Sequence, residues 1–148
     1  MSDPSGFRLL AVDADDLNII SAACQDGLCK PIDLVYEPRR KRFRVELNRF
    51  RWEALETGNS AKGERVRSVL AFDGVLSVKA RGLPPREADL VLSLMSVEWT
   101  PDKEPPGGHI RLMFAGDGEM RLEAECLDAT LVDTSQPWPT RNRPEHKG

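Results

Sequence analysis

The residues best suited to chemistry are few and scattered. His109 sits in a Gly-rich loop and His146 near the C-terminal end; neither has a second His or Cys at the spacing a metal site requires. Cys24, Cys29 and Cys126 make an odd count with no Cys-x-x-Cys pair. That argues against a disulfide framework or a structural zinc, and for reduced thiols in a cytoplasm. A Ser or Cys nucleophile needs a base within hydrogen-bond reach, and His109 is the one internal candidate. Cys24 and Cys126 fall on apolar faces; Cys29 lies just past a helix, where solvent can reach it, with nothing nearby to activate it. Glu123 and Glu125 recur at period 2, which reads as a solvated strand surface rather than an acid–base pair. Gly116-x-Gly118 and Gly107-Gly108 lack the following helix and Lys of a phosphate-binding loop. No catalytic residue, metal ligand or cofactor is assigned on these grounds.

One chemical feature is localised. From Arg39 to Glu53 the chain reads RRKRFRVELNRFRWE, with seven Arg or Lys against two Glu, a balance of +5; the chain as a whole is at −3, so the remainder sums to −8. Arg39, Arg40 and Arg42 at a hairpin tip, with Arg44, Arg49, Arg51 and the rings of Phe50 and Trp52, could grip a phosphate backbone and stack bases. The same groups suit an acidic protein surface. They also read as architecture. Charges at Arg39 to Arg42 keep a turn and an edge strand soluble. Asn48 can close an irregular turn at a strand end, Arg49 can reach inward to a carboxylate, and Trp52 can cap one end of the core. The architectural reading is preferred for both groups.

The elements that position these residues follow from periodicity. At 148 residues the chain fits a single domain burying roughly two-thirds of its unfolded surface. Asp13 caps a helix at about 14–26, with Asp15 and Asp16 in the first turn, an apolar stripe at Leu17, Ile20, Ala23 and Cys24, and Gly27 as a left-handed stop. Beyond Pro31 the period falls to 2. Strands are expected at 34–36, 42–48, 66–72, 75–81 and 90–99, the last with a bulge between Leu94 and Val97. Asp73-Gly74 predicts a two-residue hairpin turn, with a bend in one strand as the lesser possibility. A hairpin pairs 110–114 with 120–126, and 127–132 continues that sheet. Residues 56–64 and 103–108 read as loops, and 134–148 as an irregular tail pinned by Trp138. The buried set is Leu17, Ile20, Phe43, Val45, Leu47, Leu70, Phe72, Leu92, Leu112, Phe114, Leu122 and Cys126. The predicted fold is α+β: a mostly antiparallel curved sheet or partial barrel of six to eight strands with one N-terminal helix.

The run Asn48-Arg49-Phe50-Arg51-Trp52-Glu53 resembles the centre of a family of small bacterial proteins classed as a domain of unknown function. The likeness extends to 10–26, 70–82, 121–133 and 138–146. It implies no catalytic or binding residues.

Three functions are carried forward. The leading one is a small cytoplasmic, non-enzymatic interaction or regulatory module whose partner is another protein. The second is a nucleic-acid-associated accessory protein using the basic 39–52 face, although an acidic balance is unusual for such a domain. The third is a small-molecule binder or enzyme with a pocket between helix and sheet, lined by Asn48, Arg49 and Arg81. Met1 to Val12 lacks the pattern of a secretory signal, no window approaches the ~20 apolar residues of a membrane span, and no membrane partner is expected.

Overall fold

The computed structural model describes residues 7–53 and 63–140. Along the chain run β1 (Arg8–Ala11), α1 (Ala14–Cys24), β2 (Gly27–Cys29), β3 (Leu34–Glu37), β4 (Arg42–Phe50), β5 (Glu64–Asp73), β6 (Val75–Arg81), β7 (Leu92–Pro101), β8 (Gly108–Phe114), β9 (Glu119–Ala124), β10 (Ala129–Asp133) and β11 (Trp138–Pro139). Residues 56–62 of the expected loop and 141–148 of the expected tail, with His146, lie outside the described residues.

The helix begins where its cap dictates. Asp13 is extended and its carboxylate accepts the Asp16 N–H at 2.8 Å, satisfying one of the free donors of the first turn. Leu17, Ile20 and Cys24 are buried against the sheet. The end differs from expectation: α1 stops at Cys24, and Asp26 rather than Gly27 takes the left-handed conformation, at φ 62°. Asp26 donates its N–H to Leu94 O at 2.8 Å. Gly27 instead opens β2 because a side chain would not fit there; a Cβ would lie 2.4 Å from Leu47 Cδ1 and 2.8 Å from Cys24 O.

Every strand pairing is antiparallel, and the order is β1-β10-β5-β4-β2-β7-β8-β9-β6, with β3 added to β4 and β11 to β5. The sheet is α+β as expected, open rather than closed into a barrel, and has eleven strands among the described residues. The count exceeds six to eight because β10 is a strand of its own, and because β2 and β11 are three and two residues long, too short for an alternation to be read. The bulge falls where the apolar pattern slipped, between Leu94 and Ser96, and the Val97 N–H beside it donates to Ser21 Oγ of α1 at 2.9 Å.

Three expectations about the path are corrected. Asp73-Gly74 is not a hairpin turn: β5 pairs with β4, β10 and β11, and β6 pairs with β9. A type I′ turn needs positive φ at both central residues, but here Gly74 alone has it, at 75°, so the chain bends without reversing on itself, and β6 starts beside the β4 end, its Val75 N–H donating to Lys41 O at 2.8 Å, before pairing with β9 as the last strand of the order. Residues 127–132 do not extend β9; β10 lies between β1 and β5. The segment after Thr134 is irregular only in part, since Trp138 and Pro139 pair with Arg65 and Glu64.

The core between α1 and the sheet holds ten of the twelve expected residues. Leu92, the first residue of β7, is half-buried, and Cys126 is exposed because it lies in the bend after β9 ends at Ala124. Cys29 is the reverse case, buried at 3% exposure.

Candidate interaction cleft

Strand alternation takes the basic segment apart. In β4 Phe43, Val45, Leu47 and Arg49 point into the core, while Arg42, Arg44, Glu46 and Asn48 face outward and are only half-covered. Arg39 and Arg40 lie on the short 3-10 turn before it, exposed. Most of the cations have carboxylate partners. Arg44 reaches Glu37 at 3.2 Å and Glu46 at 3.4 Å, Arg40 reaches Glu37 at 3.7 Å, Lys41 reaches Glu125 at 2.5 Å, and Arg51 reaches Glu64 at 2.6 Å. Arg81 sits on β6, the last strand of the order, paired with Glu119 at 2.8 Å. The nine residues singled out from sequence therefore do not form one surface.

Arg49 is the structural member of the set. Its side chain and that of Asp133 are both 0% exposed. Nε and Nη2 donate to the two Asp133 oxygens at 2.9 and 2.8 Å, and Nη1 and Nη2 donate to Glu53 at 2.9 and 2.8 Å. Ser68 donates to Asp133 Oδ1 at 2.6 Å, and the guanidinium carbon lies 4.1 Å from the Phe7 ring centroid. Burial works against the charge, but the hydrogen bonds it donates to Glu53 and Asp133 outweigh it and hold the Arg49 pKa above its ordinary value. This fork ties β4 to β10 and to the residues after β4. Trp52 closes the same end of the core, donating its indole N–H to Gln25 O at 3.1 Å and meeting the Phe50 ring edge-on at 4.5 Å between centroids.

Asn48 belongs to a different place. It is not at a strand end but inside β4, opposite Arg67 on β5 and Leu28 on β2. Its Oδ1 accepts from Arg67 Nη1 at 3.1 Å, and Arg67 Nη2 bonds Glu46 at 3.0 Å and Asp33 at 3.3 Å. Asn48, Arg67 and Asp33 line an open cleft of about 350 Å³ with Leu28, Cys29, Lys30, Ile32 and Val91. At its mouth Lys30 Nζ bonds Asp89 at 2.6 Å, between two exposed side chains; that bond holds the Lys30 ammonium above and the Asp89 carboxyl below their ordinary pKa values. With Oδ1 used by Arg67, the Asn48 amide offers its two N–H donors, and Lys30 has further donors beyond the one given to Asp89. The cleft therefore combines aliphatic walls with a floor and rim rich in donors.

Other depressions occur among the described residues. A groove of about 240 Å³ beside α1 is lined by Phe7, Leu9, Ile19, Ala22, Ala23, Trp52 and Glu53; its one carboxylate is engaged by Arg49. A smaller hollow holds Ser77, His109 and Glu123, but the Ser77 hydroxyl donates to Glu123 at 3.2 Å rather than to an imidazole. His109 Nδ1 faces Asp102 at 3.4 Å. The core thiols are unsuited to nucleophilic work: burial pushes Cys24 and Cys29 up to about 12, leaving almost no thiolate at neutral pH.

Of the expected site residues, Asn48 alone lines the cleft. Arg67, Asp33, Lys30, Ile32 and Val91 were missed. Arg67 carried a weak signal, since Arg65 and Arg67 alternate with Val66 and Ser68 on one strand. No curated protein and no solved structure matches the chain. A family described as "Protein of unknown function (DUF2948)" matches residues 7–146, a span containing both the Arg49 fork and the cleft. By that match the chain belongs to the DUF2948 family.

Proposed function

We propose that this is a small single-domain cytoplasmic protein acting as a non-enzymatic interaction module. Its partner is a protein, and an extended segment of that partner docks in the Asn48–Arg67 cleft. The observation that carries the reading is the aliphatic rim: Ile32 and Val91 remain 55% and 63% exposed beside a donor-rich floor, and Leu90, next to Val91 in the chain, is exposed as well. Exposed apolar groups framed by polar ones mark interaction surfaces. The cleft volume falls at the low end for small-molecule sites, roughly 300–1,000 Å³, yet the exposed aliphatic side chains extend past what an enclosed ligand would cover. A peptide fits both: an aliphatic side chain between Ile32 and Val91, and backbone carbonyls or a carboxylate on Asn48 and Lys30. The Lys30–Asp89 pair is screened by solvent and can open to admit it.

The nucleic-acid alternative rested on the +5 balance at residues 39–53. Pairing of Arg40, Lys41, Arg44, Arg49 and Arg51 with carboxylates leaves little of that charge for phosphates.

Selection of binders from a displayed library of short peptides tests the proposal. Enriched sequences should pair Leu, Ile or Met with an acidic residue, and Val91→Ser and Asn48→Ala should each weaken their binding about tenfold or more, the loss expected for an anchor at an interface centre. Absence of enrichment, or binding that both variants leave unchanged, would remove the cleft as the site.

A further inference from the structure

We propose that the outer face of β6, β9 and β8 carries a second, unrelated site, one that binds a phosphate group between Lys79 and Arg121. Lys79 stands directly opposite Arg121 in the β6–β9 pairing, and Arg121 directly opposite Arg111 in the β9–β8 pairing. Three cations thus form a row across three neighbouring strands. Directly opposed like charges destabilise a sheet. Arg111 is compensated, donating Nη2 and Nε to Glu119 at 2.8 and 3.2 Å, and Arg81 bonds the same carboxylate at 2.8 Å. No ion pair within the described residues reaches Lys79 or Arg121.

Glu119 lies near enough for the Arg121 charge to act on its carboxyl, but without a direct contact, and a cavity of about 190 Å³ opens at the Lys79–Arg121 pair, lined by Ser77, Lys79, His109, Arg121 and Glu123. The register and the hollow are independent observations, and both point to a compact anion. An ammonium and a guanidinium converging on one oxyanion make the stronger, charge-assisted kind of hydrogen bond. Glu123 sets the limit on what enters. It lies one cross-strand row along, opposite His109 and Ser77, and repels any oxygen that carries full negative charge. A phosphate fits if its charged oxygens lie toward Lys79 and Arg121 and its hydroxyl or ester oxygen lies toward Glu123.

The test is titration of the intact protein at physiological ionic strength with inorganic phosphate and with glycerol phosphate, followed by backbone and His109 NMR shifts. The two probes separate a free ion from a phosphate carried on a small molecule. Saturable binding of either supports the site, and the tighter probe names the source. Lys79→Ala and Arg121→Gln should each weaken it about tenfold or more, and Glu123→Gln should strengthen it, since that change removes a like charge from the ligand's surroundings. All three side chains are exposed, so the variants should keep the wild-type spectrum elsewhere. No saturable shift, or binding that these substitutions leave unchanged, overturns the proposal, and neither result bears on the Asn48–Arg67 cleft.

Discussion

Arg49 shows how one residue can be placed by its parity. It continues the inward series Phe43, Val45, Leu47, so a strand running past Asn48 forces its guanidinium into the core. Its inward reach was legible on that account; its partner was not, because Asp133 lies 84 positions away and only the β10–β5–β4 order brings them together. Arg49→Ala would take two hydrogen bonds from the buried Asp133 carboxylate, whereas Glu53, a third exposed, can be solvated again. The expected loss is about 3–5 kcal/mol, measured by urea denaturation, and Arg49→Lys should recover only part of it because an ammonium lacks the planar fork. The thiols give a second test. Cys126 should react with a thiol reagent in the native protein at neutral pH, while Cys24 and Cys29 should react only on unfolding. Their folded pKa values, about 12 against an ordinary 9.0, also fix a sign. Below pH 9 both states hold the protons; as pH rises from about 9 toward 12 the unfolded chain alone releases them. Stability should therefore fall across that window, and less steeply in Cys24→Ala.

At the scale of elements, local chemistry was readable where it acted alone. Asp13 caps α1 by a contact three residues away, and the slip in β7 appeared as a break in alternation. Asp73-Gly74 misled because the same dipeptide serves a hairpin or a bend; which one forms depends on whether β6 finds a better partner, and it pairs with β9. Gly27 misled for a related reason. Its lack of a side chain answers to Leu47 and Cys24 across the packing, not to backbone conformation. Gly27→Ala should thus destabilise by about 1–3 kcal/mol through overpacking, even though φ there suits any residue. Leu122→Ala, which empties a site at 0% exposure between β8 and β6, should cost roughly 2–5 kcal/mol. A loss near zero in chemical denaturation for either variant would contradict the packing described.

Across the whole molecule, the +5 segment proves to be divided among three destinations: an exposed turn, a paired outer strand face and a buried fork. Composition revealed the charge but not its pairing, since Glu125, Glu64 and Asp133 come from distant elements. Replacing Arg39, Arg40 and Arg42 together by Gln should leave the fold intact, with the changes at the exposed Arg39 and Arg40 each staying within about 0.5 kcal/mol as surface substitutions do. The cleft was illegible for the same reason: Asn48 was visible in the sequence, but its neighbours come from β2, β5 and the segment before β7. The claim that recognition occurs there is tested most directly by a photo-cross-linking residue placed in turn at Val91 and at Arg39, with irradiation in the native host. Position 91 should give a discrete protein adduct, abolished by Asn48→Ala in the same chain, and position 39 should give none. A nucleic-acid or protein adduct from position 39 with nothing from position 91 would contradict it.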